Sequence, residues 1–78
     1  MKTLLDEIKE QKLCYEYISF TGKTCYRTYG DLSWYLLKCK QYGLQPKTQG
    51  DFYYTAKGDG FEFEYCEHDI IYAVDSAL

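Results

Sequence analysis

The clearest alternation of apolar and polar residues lies in FEFEYCE, residues 61–67. Phe61, Phe63 and Tyr65 alternate with Glu62, Glu64 and Cys66. A period of two is typical of a half-buried strand in an antiparallel sheet. DFYYTAK, residues 51–57, precedes it, and Gly58-Asp59-Gly60 joins the two segments, which predicts a hairpin with a three-residue loop.

A helical period dominates GDLSWYLLKCKQYGLQP and predicts the main helix over about residues 31–42. Its apolar face carries Leu32, Tyr35, Leu36 and Cys39. Asp31 is a suitable N-cap, because its carboxylate accepts hydrogen bonds from free backbone N–H groups. Gly43 is the expected left-handed stop, and Leu44 is expected to pack back on the last turn.

A shorter helix is predicted over about residues 4–12, with Leu4, Leu5 and Ile8 on one face and Thr3 as its cap. Residues 13–20 and 24–29 are rich in aromatic and β-branched types, and the turn at residues 21–23 between them predicts another hairpin, the first in chain order.

The C-terminal segment, residues 67–78, fits two structures. Ile70, Ile71, Val74 and Leu78 fit one face of a helix, whereas Ile70, Tyr72 and Val74 fit one face of a strand. The content of β-branched and aromatic residues favours a fifth strand.

The order of elements predicts one α+β domain over residues 1–78. We expect an antiparallel sheet of four to five strands, with the main helix packed on one face and a short N-terminal helix beside it. A chain of 78 residues has little room for both a core and a deep substrate pocket. We therefore predict that the protein is not an enzyme.

The four cysteines are predicted to be reduced thiols: Cys14, Cys25, Cys39 and Cys66. The N-terminal segment contains acidic residues that interrupt any apolar run, so it does not read as a signal peptide, and a cytoplasmic location is predicted. The sequence contains no run of about 20 apolar residues, which is the length that predicts a membrane span. Cys66 and His68 supply two ligands where a metal site needs three or four, so no metal or cofactor is predicted.

Charge is distributed unevenly along the chain. Residues 1–48 hold eight Lys/Arg and five Asp/Glu, whereas residues 49–78 hold one lysine and seven Asp/Glu. An acidic half of this kind repels nucleic acid and attracts a basic partner.

The leading hypothesis places partner binding on the Asp59–Asp69 hairpin, which is the second hairpin in chain order. Its acidic residues are Asp59, Glu62, Glu64, Glu67 and Asp69, and its candidate hot spots are Tyr53 and Tyr65. Glu62 and Glu64 project from one face about 6.8 Å apart, and a row of carboxylates can imitate a phosphate backbone. The partner would be a larger protein with a basic, nucleic-acid-binding surface. The alternative is a solvated face that protects a sheet edge.

A second hypothesis is a small nucleic-acid-binding module in the N-terminal half. Its basic residues are Lys23, Arg27, Lys38, Lys40 and Lys47, and its tyrosines are Tyr15, Tyr17, Tyr26 and Tyr29. The acidic character of the whole chain, with a pI near 5.0, disfavours direct nucleic-acid binding. In size, acidity and aromatic content the chain is similar to the inhibitors that phages and mobile elements carry against host defence nucleases, which implies an inhibitor or adaptor.

Overall fold

The computed structural model describes residues 2–75. It contains two helices, α1 (Leu4–Lys9) and α2 (Leu32–Gln41). The six strands are β1 (Tyr15–Ile18), β2 (Thr24–Tyr29), β3 (Lys47–Thr48), β4 (Tyr53–Gly58), β5 (Phe61–Cys66) and β6 (Asp69–Val74). The α+β class is confirmed.

All six strands form one antiparallel sheet in the order β1-β2-β6-β5-β4-β3. The prediction of four to five strands was wrong in this detail, because it omitted β3, which has only two residues and is held by pairing with β4. The C-terminal segment is a strand as favoured, since both β2 and β5 pair with β6. Residues 76–78, including Leu78, lie outside the described residues.

Both hairpin loops differ in length from the predicted ones. In the first hairpin, strand β1 ends at Ile18, so the loop covers residues 19–23 and is longer than the predicted turn at residues 21–23. In the second hairpin Gly58 pairs with Phe61, which leaves a two-residue turn of Asp59 and Gly60. Gly60 has φ +83°, a conformation that glycine adopts without a steric penalty.

Both helices begin as their sequences predict. The Asp31 carboxylate accepts a hydrogen bond of 2.9 Å from the Trp34 N–H, and α1 opens with a capping box between Thr3 and Asp6. After α2, Gly43 has φ +70° and the Leu44 N–H donates to the Cys39 carbonyl at 2.8 Å. Helix α1 ends at Lys9, earlier than the predicted residue 12.

The helices cover one face of the sheet, which we call the covered face. The core lies between this face and the two helices. Tyr35 of α2 is fully buried and stacks on Phe63 of β5 at a centroid distance of 4.6 Å. Its hydroxyl donates to the Phe63 carbonyl at 2.7 Å, so the buried O–H is satisfied. From α1, the Glu7 carboxylate accepts hydrogen bonds from Lys38 (2.6 Å) and from Tyr42, which joins the two helices.

No helix described here is long and apolar enough to cross a membrane.

Candidate partner-binding surface

The second face of the sheet, which we call the open face, carries no helix or strand among residues 2–75. Strand register places its side chains in three rows across the sheet. One row runs Tyr29, Asp69, Cys66, Tyr53. The central row runs Tyr15, Arg27, Ile71, Glu64, Thr55, Lys47. The third runs Tyr17, Cys25, Ala73, Glu62, Lys57.

The acidic residues of the open face are bonded to neighbours in the same chain. Tyr53 donates its hydroxyl to the Glu64 carboxylate, and Arg27 forms an ion pair with Asp69. The Lys23 Nζ lies 3.8 Å from Oε1 of Glu62. The carboxylates that were predicted to form an exposed row are therefore partly neutralised within the chain.

Hydrogen bonding on this face perturbs one tyrosine strongly. The bond to Glu64, reinforced by burial, raises the pKa of Tyr53 to about 12. In this bond the phenol is the donor and the carboxylate the acceptor. Tyr53 was predicted as a partner-binding hot spot, and the structure ties its hydroxyl to the sheet itself.

Three predicted site residues, Asp59, Glu67 and Tyr65, lie apart from the carboxylates of the open face. Asp59 sits in the β4–β5 turn and Glu67 in the β5–β6 turn, at opposite ends of β5. Tyr65 lies on the covered face and is only 4% exposed. The predicted set thus divides between the open face, two separate turns and the core.

A different surface gathers exposed aromatic side chains with carboxylates at one end of the sheet. We call it the acidic-aromatic end and define it by Tyr29, Asp31, Asp51, Phe52, Glu67 and His68. Tyr29 and Phe52 are 66% and 65% exposed. His68 stacks on Tyr29 with 6.0 Å between ring centroids.

Backbone hydrogen bonds hold this end together from three segments. The Gly30 N–H donates to the His68 carbonyl at 2.8 Å, and the Glu67 N–H donates to the Phe52 carbonyl at 3.3 Å. The β2–α2 connection and the β3–β4 loop are thereby fastened to the β5–β6 turn.

Two adjoining clefts open at the acidic-aromatic end. One, of about 500 Å³, is lined by Leu32, Asp51, Phe52, Tyr65, Glu67 and His68. The other, of about 590 Å³, is lined by Gln11, Tyr29, Gly30, Asp31, Ser33, Trp34 and Leu37. Neither lining contains a lysine or an arginine. Hydrogen bonds from the Trp34 N–H and the Ser33 hydroxyl lower the pKa of Asp31, which keeps that carboxylate charged.

The β5–β6 turn stores backbone strain at this surface. Among residues 2–75 the non-glycine residues with positive φ are Leu13 (+62°), Glu67 (+46°) and His68 (+73°). The last two form a two-residue hairpin turn, where Asn-Gly is the favoured pair. Leu13 lies beside Tyr29 at the same end. Strain of this kind clusters at functional sites, where the surrounding structure maintains it.

The basic residues of the second hypothesis do not form one surface. Arg27 and Lys47 lie on the open face, whereas Lys38 and Lys40 belong to α2 on the other side of the sheet. Arg27, Lys23 and Lys38 are each paired with carboxylates of the same chain.

The sequence did not reveal the acidic-aromatic end, because its residues come from three distant segments. The available signal was the polar pair Glu67-His68 between the alternating residues 61–66 and the β-branched and aromatic residues 70–74. No protein-family model, curated protein or solved structure matches the chain.

Proposed function

We propose that the chain is a small protein-binding module, an inhibitor or adaptor, whose acidic-aromatic end docks on a basic surface of a larger protein. The observation that carries the proposal is the combination of exposed aromatic rings, carboxylates and a strained turn at one end of the sheet. Each of these features also occurs elsewhere in other proteins, but their coincidence at one surface points to recognition.

Tyr29 and Phe52 are the proposed anchors. Large, exposed aromatic side chains on a rigid frame offer contact area with little conformational entropy to lose on binding. Stacking on His68 restrains the ring of Tyr29. Phe52 forms the rim of the 500 Å³ cleft, into which a side chain of the partner would insert.

Asp51 and Glu67 are the proposed charged contacts. Both are exposed and form no ion pair with the described residues. Carboxylates beside a groove without lysine or arginine attract a basic partner and accelerate its association in a salt-dependent way.

The class of partner that fits this surface is a protein that itself binds nucleic acid. Such proteins neutralise phosphates with Lys and Arg, and carboxylates can occupy the same positions. Docking would then exclude the nucleic acid, as expected of an inhibitor of the phage or mobile-element type. Glu67 belongs to both this surface and the carboxylate row predicted from the sequence, and Asp51 extends the negative charge beyond that row.

A charge-reversal comparison tests the proposal. Wild type, Asp51→Lys/Glu67→Lys and a matched control, Glu10→Lys/Asp59→Lys, are used as baits in extracts of the source cells at low and high salt. The two variants undergo the same change in net charge at different surfaces. We expect wild type and the control to retain one basic partner at low salt, and the first variant to lose it by at least about tenfold in affinity.

Two results would contradict the proposal. Equal loss of the partner by both variants would mean that net charge, rather than this surface, drives binding. Retention by Asp51→Lys/Glu67→Lys would exclude the acidic-aromatic end. Once the partner is purified, competition with a short DNA or RNA duplex tests mimicry separately, because the nucleic acid should displace the chain from a shared surface.

A further inference from the structure

The two edges of the sheet differ in their protection. The edge formed by β3 is only two residues long, follows Pro46 and carries Lys47, which are devices that prevent pairing with other chains. The edge formed by β1 has four residues, YEYI, with no proline and no lysine. Strand β1 pairs only with β2, so its outer side has no partner among residues 2–75.

Exposed apolar side chains are concentrated along the β1 edge. The segment from Leu13 to Phe20 contains four of the eight large hydrophobic residues that are exposed among residues 2–75, namely Leu13 (81%), Tyr15 (51%), Ile18 (62%) and Phe20 (103%). Leu13 precedes the strand and Phe20 follows it. An apolar residue therefore lies beside each end of this edge strand, whose one charged residue is Glu16.

The backbone groups of this edge are arranged to pair with a copy of themselves. The Ser19 N–H donates to the Lys23 carbonyl at 2.9 Å, so Ser19 points its backbone toward β2. Because the direction alternates along an antiparallel strand, Tyr17 and Tyr15 also point toward β2, whereas Glu16 and Ile18 point outward. The unpaired backbone N–H and C=O groups of the edge thus belong to Glu16 and Ile18, which are two residues apart.

We propose that the β1 edge binds a second copy of this chain, with β1 pairing antiparallel to β1 of the partner across a two-fold axis. In this register Tyr17 lies opposite Tyr17 of the second copy, and Glu16 lies opposite Ile18. The outward N–H and C=O groups of Glu16 and Ile18 then form four hydrogen bonds across the axis. The product is a continuous sheet of twelve strands with an isologous interface.

Charge and shape favour this register over one centred on Glu16. Shifting the axis to Glu16 would place two carboxylates directly opposite each other, which is destabilising. With the axis at Tyr17, the glutamates are separated along the strand and two tyrosines face each other in a closely spaced pair on the open face. Phe20 of one copy comes opposite Cys14 of the other, next to Leu13, so the apolar residues at the two ends cover each other.

Pairing with a copy accounts for the apolar residues at both ends of β1, and it does not depend on the proposed function. The two-fold axis is perpendicular to the sheet, so both open faces lie on one side of the dimer.

Sedimentation equilibrium tests the interface with wild type, Ile18→Lys and Thr48→Lys from about 1 µM to about 1 mM. A short interface belongs to the weak end of the known range. We expect wild type to change from 9.2 kDa to twice this mass as the concentration rises. Ile18→Lys should weaken dimerisation at least about tenfold, whereas Thr48→Lys, on the other edge, should behave as wild type. A wild type that stays monomeric, or an Ile18→Lys variant that dimerises normally, overturns the proposal.

Engineered cysteines test the register. In a background of Cys14→Ser, Cys25→Ala and Cys66→Ser, Tyr17→Cys should form a disulfide-linked dimer under mild oxidation, because opposed residues of this kind lie within disulfide reach. Cys25 is replaced because it lies directly opposite Tyr17 in the same chain and would compete for the thiol. Glu16→Cys should not form such a dimer, because it faces Ile18. Cross-linking by Glu16→Cys but not by Tyr17→Cys, or by neither, would overturn this arrangement.

Discussion

The open face and the acidic-aromatic end both contain carboxylates, but they use them differently. On the open face, Glu64 accepts a hydrogen bond from Tyr53 and Asp69 pairs with Arg27. At the acidic-aromatic end, Asp51 and Glu67 form no ion pair with the described residues. The first arrangement stabilises the sheet, and the second leaves charge available to a partner. A count of acidic residues along the sequence does not distinguish the two.

The largest expected effect on stability comes from reversing charge on the open face, with the same reversal at the acidic-aromatic end as its comparison. Glu62→Lys/Glu64→Lys breaks the bond from Tyr53 and sets two new cations beside Lys23. It should lower the free energy of unfolding by about 2–4 kcal/mol. Asp51→Lys/Glu67→Lys should change it by no more than about 0.5 kcal/mol. Urea denaturation of both variants measures the difference, and equal losses would contradict the division of roles.

Relieving the strained turn should separate stability from binding. Glu67→Asn/His68→Gly places favoured residues at two positive φ positions, and we expect it to stabilise the fold by about 1–2 kcal/mol. The melting temperature should rise by about 4–8 °C per kcal/mol, while partner binding falls because a carboxylate and the ring stacked on Tyr29 are lost. Asp59→Asn, in the other β5 turn, is the control and should have little effect. An unchanged melting temperature in the double variant would show that the turn is not strained.

A smaller effect is expected from the hydroxyl of Tyr53. Tyr53→Phe should cost about 1–2 kcal/mol at neutral pH, because the Glu64 carboxylate loses a donor. The pKa of Tyr53 rises from 10.0 to about 12 on folding. Its contribution is therefore complete below about pH 10 and is lost as the pH rises toward 12.

The dependence of stability on pH checks this assignment. Between pH 10 and 12 the slope should be shallower in Tyr53→Phe by up to one proton, or about 1.4 kcal/mol per pH unit. Tyr29→Phe, which alters an exposed ring, serves as the control. A slope identical to that of wild type would contradict the role of Tyr53.

Much of the fold follows from local sequence signals. Asp31 and Gly43 mark the beginning and the end of α2 through cap chemistry, and the alternation of residues 61–67 identifies β5 and its two faces. The choice between helix and strand at residues 69–74 needed non-local information, because that segment is a strand only through pairing with β2 and β5. Strand β3 was missed because two residues carry no detectable period.

The candidate site was harder to predict. Alternation correctly placed Glu62 and Glu64 on one face, but the bond between Tyr53 and Glu64 depends on cross-strand register. Tyr29, Phe52 and His68 meet only after three segments of the sheet are assembled. Strand order brings them together, and local patterns in a single sequence do not specify strand order.

The position of β6 also has a kinetic consequence. Among residues 2–75 it is the one strand that connects the β1–β2 hairpin with the meander of β3, β4 and β5. During synthesis on the ribosome, both halves emerge before β6, and neither can complete the sheet without it. Until then β2 and β5 each have an unpaired edge, so a nascent or truncated chain is exposed to aggregation. Productive folding of this domain therefore waits for residues 69–74 to leave the exit tunnel.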